Sequence, residues 1–196
     1  NCYAALLIEH LWTDSHTLQW GDSQPLENGF ELVGVSRRFP FRQTWRVTAA
    51  VDGIRLDIEL DADAEIRAQE YQVSVVLRPE YTDWATDAES GWFAPFQPGD
   101  AMWKHQNKTY PSGRRIEAWG AGLPRVAFLL QDNALPMRPT AINTSMAENA
   151  RVLQFLRTGD GGRLVFTPGR HLLFSGLVRI EAADAANNFP GVSHDR

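Results

Sequence analysis

The sequence predicts an all-β fold: a single antiparallel β-sandwich of jelly-roll or supersandwich type. Three observations carry that prediction. Short segments rich in β-branched and aromatic residues recur along the chain. Gly- and Pro-rich breaks separate them at Gly120–Pro124, Leu135–Pro139, Gly159–Gly162 and Pro168-Gly169. Apolar and polar residues alternate in Ile54–Leu60, and in Tyr71–Leu77 Tyr71, Val73, Val75 and Leu77 alternate with Gln72 and Ser74, the pattern of a strand with one face in a core. A chain of 196 residues is long enough for one such domain with a real core.

Taken in order, Tyr3–His10 is an apolar strand candidate without alternation. The stretch from Trp12 to Asn28 carries turn formers and reads as loop. Glu31–Phe39 reads as a strand stopped by Pro40, which has no N–H for a ladder. Gln43–Val51 and Ile54–Leu60 flank Asp52-Gly53, a dipeptide suited to the positive φ angles of a type I′ hairpin turn. Ile54, Leu56, Ile58 and Leu60 face one way, and Arg55, Asp57 and Glu59 the other. Tyr71–Leu77 follows as a strand. Tyr81–Tyr110 holds Trp84, Trp92, Trp103, Phe93 and Phe96 but no period of 2 or 3.6, and reads as a long loop or loop pair. It is too aromatic to be disordered and must fold onto something. Later strand candidates are Arg114–Trp119, Val126–Gln131, Arg151–Arg157, Arg163–Phe166 and Leu172–Ile180. A short helix near 145–156, with Ser145 as cap and Glu148 three residues on, competes with the strand at Arg151–Arg157. The sandwich is assigned to 1–181 and a loose polar tail to 182–196. The opening on Asn1 rather than Met suggests a processed protein or an excised domain.

Composition narrows the function classes. The net charge of −5 argues against general nucleic-acid binding, which needs a basic face. The longest clean apolar run, Tyr3–Ile8, is far too short to span a bilayer, so no membrane role is expected. One cysteine, Cys2, permits no disulfide within the chain. Phosphate-binding, dinucleotide and Gly-x-Ser-x-Gly motifs do not occur, so no cofactor is implied.

The aromatic stretch supplies the candidate ligand residues: Tyr81, Trp84, Trp92 and Trp103, with Asp87, Asp100, Lys104 and His105, and Asp83 and Asn107 as further polar neighbours. Flat aromatic faces match the C–H faces of pyranose rings, and the polar groups can hold hydroxyls. The competing reading is that the rings plug one end of the sandwich. Other clusters have plainer explanations. Asp57 and Glu59 lie about 7 Å apart on one strand face, a separation used in glycoside hydrolysis, yet also ordinary for a solvated strand. Asp61, Asp63 and Glu65 lack the glycine and closing glutamate of a calcium loop. His10, Asp14, His16 and Asp22 fit no zinc spacing, so no metal is assigned. Arg37, Arg38, Arg42 and Arg46 could face one anion, or pair across strands with Asp57 and Glu59. Asn107-Lys108-Thr109 and Asn143-Thr144-Ser145 match the glycosylation sequon.

The expectation is therefore a soluble, carbohydrate-binding or carbohydrate-associated β-domain with a saccharide or other small-molecule ligand on its aromatic surface. Two alternatives stand beside it. One is an enzyme acting on a sugar or small molecule within a sandwich or cupin-like barrel; the other is an assembly subunit whose aromatic loops form an interface.

Overall fold

A computed structural model describes residues 1–99, 101–131, 134–146, 149–159, 161 and 163–182. They form two antiparallel sheets. The first runs in the order β11(Trp103–His105), β14(Arg138–Thr144), β15(Ala150–Thr158), β8(Ile66–Leu77), β1(Cys2–Ile8) and β2(Leu11–Asp14), with β16(Leu164–Phe166) also on β8. The second runs β10(Ser90–Trp92), β9(Asp83–Thr86), β12(Arg115–Trp119), β13(Arg125–Leu130), β17(Gly169–Glu181), β7(Gly53–Ala62), β6(Phe41–Ala50), β5(Gly29–Val35) and β3(Gln19–Trp20), with β4(Gln24–Leu26) beside β5. Among the described residues no helix is long and apolar enough to cross a membrane.

Alternation decides what lies between the sheets. Leu56, Ile58 and Leu60 of β7, Tyr71 and Val73 of β8, and Leu153 and Phe155 of β15 are all buried in one core. At its centre Phe128 and Phe174 from the second sheet meet Phe155 from the first, with ring centroids 5.0 to 6.0 Å apart. Such offset and edge-on contacts add to the large area each ring buries. The opposite face of β8 and β15 is buried too, and there Gln154 donates to Gln72 at 2.8 Å and to Ser74 at 3.1 Å.

Several elements differ from the sequence reading. The segment Trp12–Asn28, expected as loop, contains three short strands and a 3₁₀ turn at Ser15–Thr17, where the Asp14 carboxylate accepts from the amides of His16 and Thr17. The strand expected over Glu31–Phe39 ends at Val35. Ser36 Oγ accepts from the amides of Arg38 and Phe39, which turns the chain before Pro40 is reached. The helix near 145–156 is replaced by β15, whose backbone is paired on both sides, with β14 and with β8. Glu148 of the expected cap, and the tail beyond Ala182, lie outside the described residues.

The central hairpin forms, but around a different turn. Ala50 pairs with Gly53, so the two loop residues are Val51 and Asp52, and neither they nor Gly53 have positive φ. Gly53 is required for another reason. A Cβ there would sit 2.2 Å from the Val178 carbonyl oxygen of β17. The two-residue turn with positive φ at both positions is Glu9-His10, at 51° and 64°, between β1 and β2.

Candidate functional site

The aromatic stretch divides into a plug and a surface. Trp84 points inward from β9 and is 2% exposed; Tyr81 and Phe93 are buried beside it. The Tyr81 hydroxyl donates to the Pro124 carbonyl at 2.9 Å. These rings are core, so Tyr81 and Trp84 do not form the expected aromatic surface. Trp92, one strand over at the sheet edge, is 72% exposed. Trp103, Lys104 and His105 lie on β11, at the edge of the other sheet, with Trp103 half-buried and the His105 ring edge-on to Tyr110 at 5.9 Å. Burial holds the His105 imidazole below its ordinary pKa. Asp100 lies outside the described residues.

The plug is organised by one buried cation. Arg151, at the end of β15's core face, donates through Nε to the carbonyls of Pro79 and Tyr81, each at 3.2 Å. Its Nη1 donates to the Ala94 carbonyl at 2.9 Å and to Asn143 Oδ1 at 2.6 Å. The guanidinium also lies over Phe96 at 4.1 Å and Phe93 at 5.0 Å. Burial lowers its pKa.

The other polar residues of the stretch serve the same end. Asp87 accepts from the amides of Arg114 and Arg115, and Glu89 from those of Lys108 and Thr109. Gln106 Oε1 accepts from the Ala94 amide and Asn107 Oδ1 from that of Ala141. Charged and amide side chains interleaved with aromatics here satisfy the backbone of a long connection. Both sequon asparagines, Asn107 and Asn143, are buried in this framework and hydrogen-bonded.

Outside the plug, strand register builds a row of side chains that sequence spacing conceals. Trp92 pairs with Asp83, and Asp83 pairs on its other side with Trp119. Directly opposed residues share a sheet face. Since Trp84, the neighbour of Asp83, points inward, this row lies on the outer face. Two tryptophans therefore flank an aspartate, with their Cα atoms about 10 Å apart at two strand spacings.

Beside the row, Glu117 lies two residues before Trp119 and on the same face. It accepts from Arg115 Nε at 3.1 Å and Arg125 Nε at 2.9 Å, with closer contacts from both Nη2 groups. Arg125 in turn covers Trp119 at 4.7 Å. Burial pushes the Glu117 carboxyl up, but the hydrogen bonds from Arg125 and Arg115 outweigh it and hold the carboxyl below its usual range. Asp83 Oδ2 accepts from Thr82 Oγ1 at 2.6 Å. The face thus carries an exposed indole, a half-buried indole under a guanidinium, and a carboxylate between them. Asp83 was among the polar neighbours of the aromatic stretch, whereas Trp119 and Arg125 were not singled out from sequence. Their signal was the pairing of three strands distant in the chain.

The carboxylates of Glu31, Asp57, Glu59 and Asp63 have local partners. Arg46 bridges Glu31 at 2.8 Å and Glu59 at 3.1 Å, Arg42 meets Asp63 at 2.9 Å, and Asp57 accepts from Arg55 and Ser175. Of the arginine cluster, Arg42 and Arg46 are thereby engaged in ion pairs, while Arg37 donates to Gln19 and Arg38 lies over Phe39. No group of three His, Cys, Asp or Glu residues able to hold a metal occurs among the described residues. Comparison with protein-family models, with curated proteins and with solved structures finds no match.

Proposed function

We propose that this chain is a carbohydrate-binding β-domain whose site is the outer face of β10, β9 and β12. The observation that carries the reading is the row Trp92–Asp83–Trp119. A pyranose is apolar on its C–H faces and polar around its rim. Its natural receptor pairs a flat aromatic wall with hydrogen-bonding groups in the same plane. Trp92 offers the open wall, and Asp83 is placed to accept from hydroxyls between the two indoles. Arg125, held by Glu117 and lying over Trp119, adds a positive charge at the far side. The site is a shallow surface on paired strands, suited to a chain of sugars laid across it rather than one sugar enclosed.

The test is a fluorescence titration with neutral hexasaccharides of glucose, xylose and N-acetylglucosamine. At least one is expected to change the tryptophan emission saturably. Trp92→Ala and Trp119→Ala should each weaken that binding about tenfold, the loss of ~1.4 kcal/mol of stacking. Absence of binding by all three sugars, or binding indifferent to both substitutions, would overturn the proposal.

A further inference from the structure

At the opposite end of β15 from the aromatic plug, the two sheets part to leave an open cleft of about 950 Å³. β14, β15 and β16 supply one wall and the start of β17 the other. Its floor is apolar, with Met137, Leu164 and Phe166. Arg157, Arg163 and His171 line it, with Arg138 and Arg170 at its rim, since Arg138 shares the outer face of Leu156 and Arg170 that of Asp61, and no lining residue is a carboxylate among those described. In a chain with a net charge of −5, this segregation of positive charge into one concavity is a local feature that the totals conceal.

Arg157 is the telling member. It faces inward, paired directly with the buried Tyr71 on the core face, and is itself half-buried. The Tyr71 hydroxyl beside it donates to the Leu173 carbonyl, and burial pushes its pKa up to about 12, so it stays neutral. The Arg157 guanidinium hydrogen-bonds the neutral Tyr71 phenol, and among the described residues it has no carboxylate partner to offset its desolvation. The acids nearest the cleft sit at its margins. Glu59 lies 3.8 Å from Arg170 and is already held by Arg46. Glu70 lies near Arg138, whose Nη2 donates to Thr158 Oγ1 at 3.1 Å. Arg163 has no ion-pair partner among the described residues. His171 is fixed by its Nε2 contact with the Thr167 carbonyl at 2.7 Å.

From this geometry we infer a second ligand site: the cleft binds an organic polyanion, a molecule whose apolar body rests on Met137, Leu164 and Phe166 while two or more carboxylate or phosphate groups meet the arginines. Guanidinium pairs with either group bidentately, so the arginines alone accept both. The volume, in the range of small-molecule sites, exceeds what a single inorganic ion fills. The site stands at the other end of the sandwich from the tryptophan row and does not depend on it.

Calorimetric titration with citrate and with fructose 1,6-bisphosphate, against sodium chloride at matched ionic strength, tests the inference. At least one is expected to bind with a Kd below about 1 mM, and whichever binds identifies the carboxylate or the phosphate chemistry. Arg157→Gln and Arg163→Gln should each weaken binding about tenfold. Arg163 is exposed, so its substitution leaves the fold intact even if loss of Arg157 disturbs Tyr71. Failure of both anions to bind beyond the salt control, or affinity unchanged in Arg163→Gln and in a folded Arg157→Gln, would overturn it. A neutral hexasaccharide should compete with neither anion.

Discussion

Arg151 holds three backbone carbonyls and the Asn143 amide in a single planar fork. Replacing it with methionine keeps much of the packing against Phe93 and Phe96 but removes the Arg151 donor from the Pro79 and Tyr81 carbonyls and from Asn143 Oδ1, while the Ala94 carbonyl keeps only Asn143 Nδ2. The expected cost is about 3 kcal/mol or more, read as a lower urea midpoint. Arg151→Lys should recover little of it, because one ammonium cannot reach all four acceptors. Glu117 gives a prediction with pH. Its folded pKa lies below the ordinary 4.5, so its ion pairs stabilise the fold above that value and the contribution fades as pH falls through the folded pKa. The gap in urea midpoint between the wild type and Glu117→Gln should be open at pH 7 and close progressively below about pH 4.5. A gap constant down to pH 3 would show that its arginine contacts add nothing specific to the charged form.

The β6–β7 hairpin and the β1–β2 hairpin exchange the roles that composition suggests for their turns. Gly53→Val should lower stability by about 1–3 kcal/mol, because any Cβ collides with the Val178 carbonyl and β17 must move. Conversely, replacing Glu9-His10 with Asn-Gly should raise stability by about 1 kcal/mol, since both positions already have the positive φ that these residues accept more readily. An unchanged melting temperature in the second variant would contradict the turn assignment. These elements show what was legible in the sequence. Ile54–Leu60, with one face in the core, declares itself by alternation, and Tyr71–Val75 alternates in the same way although both of its faces are buried. Arg138–Thr144 did not, because it is buried along nearly its whole length and contains Pro139. Glu9-His10 gave no turn signal because neither residue is a usual I′ former. Trp92 and Asp83 were visible as candidates, but their direct pairing and the third member, Trp119, were not. Trp119 joins them only through a register set by long-range pairing.

At the scale of the molecule, the sandwich has two differently built ends and one aromatic face. The long connection between β8 and β12 closes one end by sinking Tyr81, Trp84 and Phe93 into the core around Arg151. It leaves Trp92 outside, where β9 carries Asp83 between it and Trp119. On the proposed function, stability and recognition fall to alternate residues of the same short strands. Trp84→Ala should cost about 3–5 kcal/mol, whereas Trp92→Ala should move the urea midpoint by no more than about 0.5 kcal/mol. The division can be observed directly through the indole N–H resonances of the seven tryptophans, assigned by single substitution. During titration with the best-binding hexasaccharide, the signals of Trp92 and Trp119 should shift saturably and together, while that of Trp84 stays in place. Shifts confined to other tryptophans, or no shift in any of them at saturating sugar, would contradict the assignment of this face as the carbohydrate site.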